Sequence, residues 1–260
     1  MSSTALVTGA SSGIGAAIAR ELASRGYSLA LVARREERLQ SLATDLASEY
    51  GVAAETIACD LADPAERDRL ADELPARGRA VEVLVNNAGF GHQADFATSP
   101  PERLVEMVRV NVEAVVDLTG RFLGQMVERG RGSVINIAST AAFQPLPGSA
   151  VYAASKSFVL SFSEAIRTEL RGSGVTVTAV CPGPVKTEFT EVAGFGGVEE
   201  RTPGAVWMSA EEIARHAVDG AKHDKRVVVP GALNRATALA GQHSPRSVAL
   251  PLISRFWRNI

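Results

Sequence analysis

Tyr152 and Lys156 stand four residues apart in Tyr152-Ala153-Ala154-Ser155-Lys156, a spacing that stacks two side chains on one helix face. A phenol has a pKa near 10, poorly matched to neutral pH, and lowering it by two to three units takes about 3–4 kcal/mol. One positive charge about 4 Å away, at an effective dielectric of about 20, is worth about 4 kcal/mol. A lysine so placed can therefore make the tyrosine a proton-transfer group. Ser139 ends the apolar run Ser133–Ala138, at the kind of strand end where parallel sheets present ligand-binding groups. Asn111 interrupts a stripe of Leu104, Val108, Val115, Leu118 and Phe122 in a helix pattern running from Glu102 to Met126. A buried amide costs about 1–3 kcal/mol unless paired, so Asn111 needs a partner or a water.

A second constellation suits phosphate. Thr8-Gly9-Ala10-Ser11-Ser12-Gly13-Ile14-Gly15 follows the first apolar run and opens the first helix pattern. Gly9 permits a tight turn, Gly13 lets backbone approach a pyrophosphate, and Gly15 lets the helix sit close to the strand. The N–H groups and positive end of the helix from Ile14 then favour an anion. The second apolar run ends in Val32-Ala33-Arg34-Arg35. A site for NAD places an acid there to bond the ribose 2′-hydroxyl, whereas guanidinium groups suit a 2′-phosphate. Arg34, nearest the strand end, is the expected phosphate ligand, with Arg35 beside it at the start of a solvated helix. NADP(H) is the expected cofactor.

These residues need a scaffold that brings distant segments to one edge. Strands are expected at Ala5–Thr8, Ser28–Ala33, Ala54–Cys59, Val83–Asn86, Ser133–Ala138, Val175–Cys181 and Val227–Val229. Most are apolar nearly throughout, as parallel strands covered on both faces are. Helix patterns such as Glu36–Tyr50 lie between them. The expectation is an α/β fold: a Rossmann-type doubly wound parallel sheet of about seven strands, with helices on both faces, in a single domain spanning the chain. Pro182 to Met208, rich in Gly, Pro and charge, reads as a substrate loop over about residues 184–208. The tail from Gly231, divided by Pro245 and Pro251, reads as short helices or an interface.

Composition removes other classes. The 260 residues are 46% hydrophobic and 22% charged, enough for a large core. The 27 Lys and Arg against 29 Asp and Glu give a net charge of −2, too little positive charge for a nucleic-acid backbone binder. Cys59 and Cys181 form no CxxC or Cys/His pattern and read as buried apolar side chains. Met1-Ser2-Ser3-Thr4 lacks a basic region ahead of its apolar segment, so no signal peptide is expected. The longest charge-free stretch, Gly132 to Ser155, is broken by polar residues and prolines and is not expected to span a membrane. A cytoplasmic location is expected.

Taken in order, these motifs closely resemble those of the short-chain dehydrogenase/reductase superfamily in its single-domain form. The likeness covers roughly residues 4–230 and includes the Thr8–Gly15 turn, Asn86-Asn87-Ala88-Gly89, Asn111, Ser139, Tyr152 with Lys156, Pro182-Gly183 and Thr187. Ala33-Arg34-Arg35, Cys59-Asp60-Leu61 and the run on to Phe90-Gly91 are similar to a bacterial NADP-preferring branch, itself related to ketoacyl and hydroxysteroid reductases. The resemblance implies that Asp60 bonds the adenine amino group, with Leu61 a backbone contact. It implies that Asn87, Ala88 and Gly89 run beside the cofactor ribose, while Asn86 ties central strands together. Pro182, Gly183 and Val185 would cradle the nicotinamide, and Thr187 would reach its carboxamide or phosphates.

The same resemblance implies that hydride passes between nicotinamide and a carbonyl or alcohol carbon without a metal. Ser139 would hold the carbonyl oxygen and Tyr152 would donate its proton. Lys156 would bond the ribose as well as lower the phenol pKa, and Asn111's helix would hold a proton-returning water. Phe90, Phe143, Leu146, Phe189, Phe195 and Trp207 suggest an apolar ketone or 3-oxoacyl-type substrate, with His92 as a further candidate contact. A homodimer or homotetramer through helices near 102–129 and 151–171 is expected, and Arg255-Phe256-Trp257-Arg258 suggests packing, an oligomer contact or a weak membrane touch. Two alternatives stay open: a non-catalytic NADP(H)-binding protein, and an enzyme working mainly as an alcohol dehydrogenase.

Overall fold

Side chains alternate between the two faces of a strand, so a run that is apolar throughout needs cover on both sides. The computed structural model describes residues 3–194 and 204–257 and provides that cover. Met1, Ser2, Phe195 and Arg258, singled out above, lie outside the described residues. Strands β1 (Ser3–Thr8), β2 (Ser28–Ala33), β3 (Ala54–Ala58), β4 (Ala80–Asn86), β5 (Gly132–Ile137), β6 (Val175–Val180) and β7 (Val227–Val228) form one sheet. All pairings are parallel, in the order β3-β2-β1-β4-β5-β6-β7. Ala5 and Val7 of β1 pack into a layer with α1 (Gly13–Ser24), α2 (Glu36–Tyr50) and α8 (Ala210–Lys222). Leu6 packs into the opposite layer, with α3 (Pro64–Ala76) and α5 (Ala114–Glu128). The strand order reverses between β1 and β4, where sheets of this type open a ligand crevice at the carboxyl edge.

The expected helix from Glu102 to Met126 is instead interrupted. The chain forms α4 (Pro101–Val108), a π-helical turn at Arg109–Glu113, and then α5. One extra residue in the turn rotates the preceding stretch by about 100° relative to a regular helix. Val108, expected inside, is 44% exposed, and Met107 takes the buried position. Asn111, Val115, Leu118 and Phe122 remain buried as expected.

Local signals end the elements. Asp63 caps α3, accepting from the Ala65 N–H at 2.9 Å with Pro64 at the first helical position. Ser209 and Glu212 form a reciprocal capping box at α8. The expected substrate loop carries a short helix, α7 (Glu188–Val192), and returns to the sheet edge through a parallel bridge between Val185 and Met208. The tail forms α9 (Ala232–His243) and α10 (Arg246–Trp257), the short helices expected of it. Among the described residues no helix is long and apolar enough to cross a membrane.

Candidate active site

The glycine-rich turn is held by contacts that leave no room for larger residues. Gly9 and Gly13 have φ of +65° and +55°, in the left-handed region that favours glycine. A Cβ on Gly15 would lie 2.3 Å from the Gly9 carbonyl oxygen, so α1 starts hard against the strand turn. Thr8 Oγ1 donates to the Val85 carbonyl at 3.0 Å and accepts from the Asn87 and Ala88 N–H groups at 2.9 and 3.1 Å. Asn87 Nδ2 donates to the Thr8 carbonyl at 2.9 Å, which fixes the turn to the end of β4. Asn86 donates to Asn136 at 2.8 Å and to Thr119 at 3.1 Å, tying the central strands as expected. Thr187 lies across from the turn, its methyl 3.2 Å from where a Gly13 Cβ would fall.

The two arginines behave differently from each other. Arg34 is 64% exposed and reaches Glu106 at 3.6 Å. Arg35, expected to be the lesser residue, lies over the turn. It donates to Ser11 Oγ at 3.0 and 3.2 Å and to Ser12 Oγ at 2.8 Å, and its other arm donates to Glu188 at 2.9 Å. Ser12 precedes α1 without capping it, and no acidic residue occupies the first turn, so the positive helix end keeps its charge preference. Asp60 accepts from the Ala62 N–H at 3.0 Å, forming a local turn ahead of the Asp63 cap of α3. The Leu61 carbonyl accepts from buried Arg67 at 2.7 Å.

Ser139 follows β5 and accepts from the Ala141 N–H at 3.1 Å, while Tyr152 and Lys156 project from α6 (Ala150–Glu169). Tyr152 and Lys156 are both buried. Lys156 Nζ donates to the Ile137 carbonyl at 2.9 Å and sits 5.9 Å from the centroid of the Tyr152 ring. The expected lowering of the phenol pKa is not what the site shows. Burial pushes Tyr152 up to about 12, and a side-chain hydrogen bond with Ser139 works weakly the other way. Burial likewise lowers Lys156 to about 8, so the phenol and the ammonium share one desolvated site in which each charged form is less favoured than in water.

Asn111 is paired, as its buried position requires. Its Oδ1 accepts from the Phe90 N–H at 3.1 Å, and its Nδ2 donates to the Phe90 carbonyl at 3.0 Å and to Ser155 Oγ at 3.1 Å. Ser155 donates in turn to the Tyr152 carbonyl at 2.7 Å. The π-turn thereby aims an amide that locks the segment following Gly89 to the helix carrying Tyr152. Asn111 stands behind the site rather than in its wall.

A cavity of about 960 Å³ joins these groups. Its wall includes Gly9, Ser11, Ser12, Gly13 and Ile14 of the turn, with Arg34, Arg35, Asp60 and Leu61 beyond them. Asn87, Ala88 and Gly89 follow, then Ser139, Tyr152 and Lys156, and finally Pro182, Gly183, Val185 and Thr187. Gly15 shapes the turn from behind. Around Tyr152 the wall is apolar, with Phe90, Leu146, Phe189 and Ile253 packed together. Phe143, expected at the rim, packs instead against the cluster of Val115, Ala138, Val159 and Cys181 behind it. His92 is not among the described lining residues, and its Nε2 is buried without a hydrogen-bond partner.

Several wall residues carried no motif. Gln144, Leu233, Asn234, Thr237 and Glu188 all line the cavity. Asn234 on α9 donates to the carbonyls of Val206 and Pro230 at 3.0 and 3.1 Å and abuts Gly183, where a Cβ would fall 2.4 Å from its Oδ1. A lone asparagine in a tail has no local signal for this role, because its partners lie in other segments.

A parallel sheet with a glycine-rich first turn and a serine, tyrosine and lysine at its carboxyl edge defines a dinucleotide-dependent oxidoreductase of the short-chain type. Comparison with known proteins agrees: the family described as short chain dehydrogenase matches residues 3–194. A sulfoacetaldehyde reductase of Chromohalobacter salexigens is 42% identical over 225 residues, covering 82% of this chain and 86% of that protein. An NADP-dependent 3-hydroxy acid dehydrogenase of Salmonella typhi is 40% identical over 198 residues, covering 75% of this chain and 78% of that protein. Among solved structures, a short-chain dehydrogenase from Sphingobium yanoikuyae in complex with NADPH superposes with a TM-score of 0.83 at 34% identity, covering 97% of this chain and 95% of that one. The chain belongs to the short-chain dehydrogenase/reductase family.

Proposed function

We propose that this protein is an NADP(H)-dependent oxidoreductase that interconverts a carbonyl and an alcohol, working mainly as a reductase of an apolar ketone or 3-oxoacyl-type substrate. The observation that carries the reading is convergence: Ser139, Tyr152 and Lys156 open on the same cavity as the glycine-rich turn and Arg35. NADP(H) rather than NAD(H) is supported by the arginines after β2, by the lack of an acid there, and by the cofactors named for the similar proteins. Gly9, Gly13 and the first turn of α1 would hold the pyrophosphate, and Arg35 with Arg34 the 2′-phosphate. Asp60 and Leu61 would meet the adenine, and Pro182, Gly183, Val185 and Thr187 the nicotinamide end.

When bound, the nicotinamide supplies or accepts the hydride. Ser139 then orients the carbonyl oxygen, and the Tyr152 hydroxyl delivers a proton as negative charge develops there. A phenol held near 12 stays protonated at neutral pH, which suits a donor for reduction. Lys156 would bond the cofactor ribose and keep a positive charge close to the nascent phenolate. Asn111 keeps Phe90 and α6 in register.

Substrate class is read from the wall around Tyr152. The charged lining residues among those described are Arg34, Arg35, Asp60, Lys156 and Glu188, none of them in the apolar cluster of Phe90, Leu146, Phe189 and Ile253. The Arg103 guanidinium lies 4.1 Å from the Phe90 ring centroid but is not among the described lining residues. A neutral apolar ketone or acyl chain would bury surface against the cluster worth about 25 cal/mol per Å². We place the enzyme in the cytoplasm as a homodimer or homotetramer. Following NADPH absorbance across ketones, aldehydes and 3-oxoacyl thioesters tests the reading. Turnover on a neutral apolar carbonyl is expected. Tight NADPH binding with no turnover on any class would favour the non-catalytic alternative.

A further inference from the structure

The segment that would meet substrate also sends a carboxylate to the opposite end of the cavity. Glu188, at the start of α7, accepts from Arg35 at 2.9 Å and from Arg38 at 2.6 Å. Those hydrogen bonds hold its carboxyl below the usual range. Arg35 is at the same time the donor to Ser11 and Ser12 of the glycine-rich turn. One guanidinium is thus divided between the phosphate-binding turn and an acid from a distant part of the chain, and both Arg35 and Glu188 line the cavity. Arg34 differs: its partner Glu106 lies 3.6 Å away, beyond good hydrogen-bond distance.

A 2′-phosphate takes guanidinium N–H groups in pairs, and Glu188 occupies one arm of the Arg35 fork, Nη1. It also brings about −1.5 to −2 charges, which a neighbouring carboxylate repels. A ribose 2′-hydroxyl is neutral and can donate to a carboxylate, so it meets no such opposition. We propose that Glu188 is a cofactor-specificity residue: an internal competitor for Arg35 that limits NADPH affinity and narrows the discrimination against NADH. The proposal rests on the NADP(H) reading above and goes beyond it, because it places part of the cofactor selection on the substrate segment.

The test is Glu188→Gln, titrated with NADPH, NADH and adenosine 2′-monophosphate by fluorescence or calorimetry. The side chain is 44% exposed and glutamine keeps its size, so the fold should tolerate the change. NADPH and adenosine 2′-monophosphate should each tighten by about threefold or more, the scale of an exposed ion pair, while NADH stays unchanged. In an Arg35→Ala background the gain should vanish, since the competed donor is gone. Glu106→Gln should give a smaller gain. Unchanged or weakened NADPH binding in Glu188→Gln would overturn the proposal, weakening marking Glu188 as a support for Arg35 instead. If the wild-type protein itself binds NADPH no tighter than NADH, the cofactor reading fails, and that result needs no variant to be seen.

Discussion

Tyr152 and Lys156 show how far residue spacing carries and where it stops. Their i, i+4 relation and the end-of-strand position of Ser139 are local, so the sequence displays them directly. Their proton affinities depend on burial by segments far away, and spacing says nothing about that. The consequence is measurable. In the proposed mechanism reduction needs the Tyr152 proton, retained to about 12, and the Lys156 ammonium, retained only to about 8. The rate of reduction should therefore fall as pH rises through about 8, with an apparent pKa belonging to the pair; a rate flat to beyond pH 10 would contradict this. The same shift has a cost in stability. The folded pKa of Lys156 lies below its ordinary value of 10.5, so between about 8 and 10.5 the unfolded chain binds the proton more readily and stability rises with pH. Below that window the penalty is fully present, up to about 3 kcal/mol. Lys156→Met should accordingly abolish turnover yet raise unfolding stability by about 1–3 kcal/mol at neutral pH, and the gain should shrink at pH 10. Urea unfolding at the two pH values checks both parts, and a destabilised variant at neutral pH would refute them.

At the scale of elements, most strands were legible because parallel strands buried on both faces are apolar nearly throughout. β2 matches its expected bounds, and β4 starts earlier, at Ala80 rather than Val83. The π-turn was not legible. The 4-3-4-3-4 stripe through Asn111 fits a regular helix equally well, and only the burial of Met107 in place of Val108 reveals the extra residue. The stripe makes Asn111→Leu look like a repair of a broken apolar face. The structure gives the opposite result, because leucine would leave the N–H and carbonyl of Phe90 without their partners. Asn111→Leu should destabilise the fold by about 2–4 kcal/mol, read as a lower urea midpoint with an unchanged slope. A neutral or stabilised variant would mean that Phe90 finds other partners and that the amide does not lock the two segments. Glu188 and Asn234 escaped for the same reason as the π-turn: each acts through partners remote in sequence.

At the scale of the whole molecule, the helices that carry the site also present apolar surface. Val105, Val108 and Val116 are 49%, 44% and 40% exposed, and Phe158, 41% exposed, stacks on Phe162 with ring centroids 5.8 Å apart. The π-turn is what turns Val108 outward, so the device that buries Asn111 also adds to this face. Exposed apolar side chains on neighbouring helices fit self-association. Sedimentation at micromolar concentration should show a dimer or tetramer, and Phe158→Glu should shift it toward monomer; a wild-type monomer would contradict the assembly. In the proposed mechanism Tyr152 gives its proton to a substrate oxygen, while cofactor binding is left to the turn, the arginines and Lys156. Steady-state turnover of Tyr152→Phe, measured beside its NADPH affinity, tests that division most directly. The hydroxyl contributes to the transition state rather than to the bound cofactor, so turnover should fall by at least about 100-fold while the NADPH Kd stays close to wild type. Near-normal turnover in Tyr152→Phe would contradict the account.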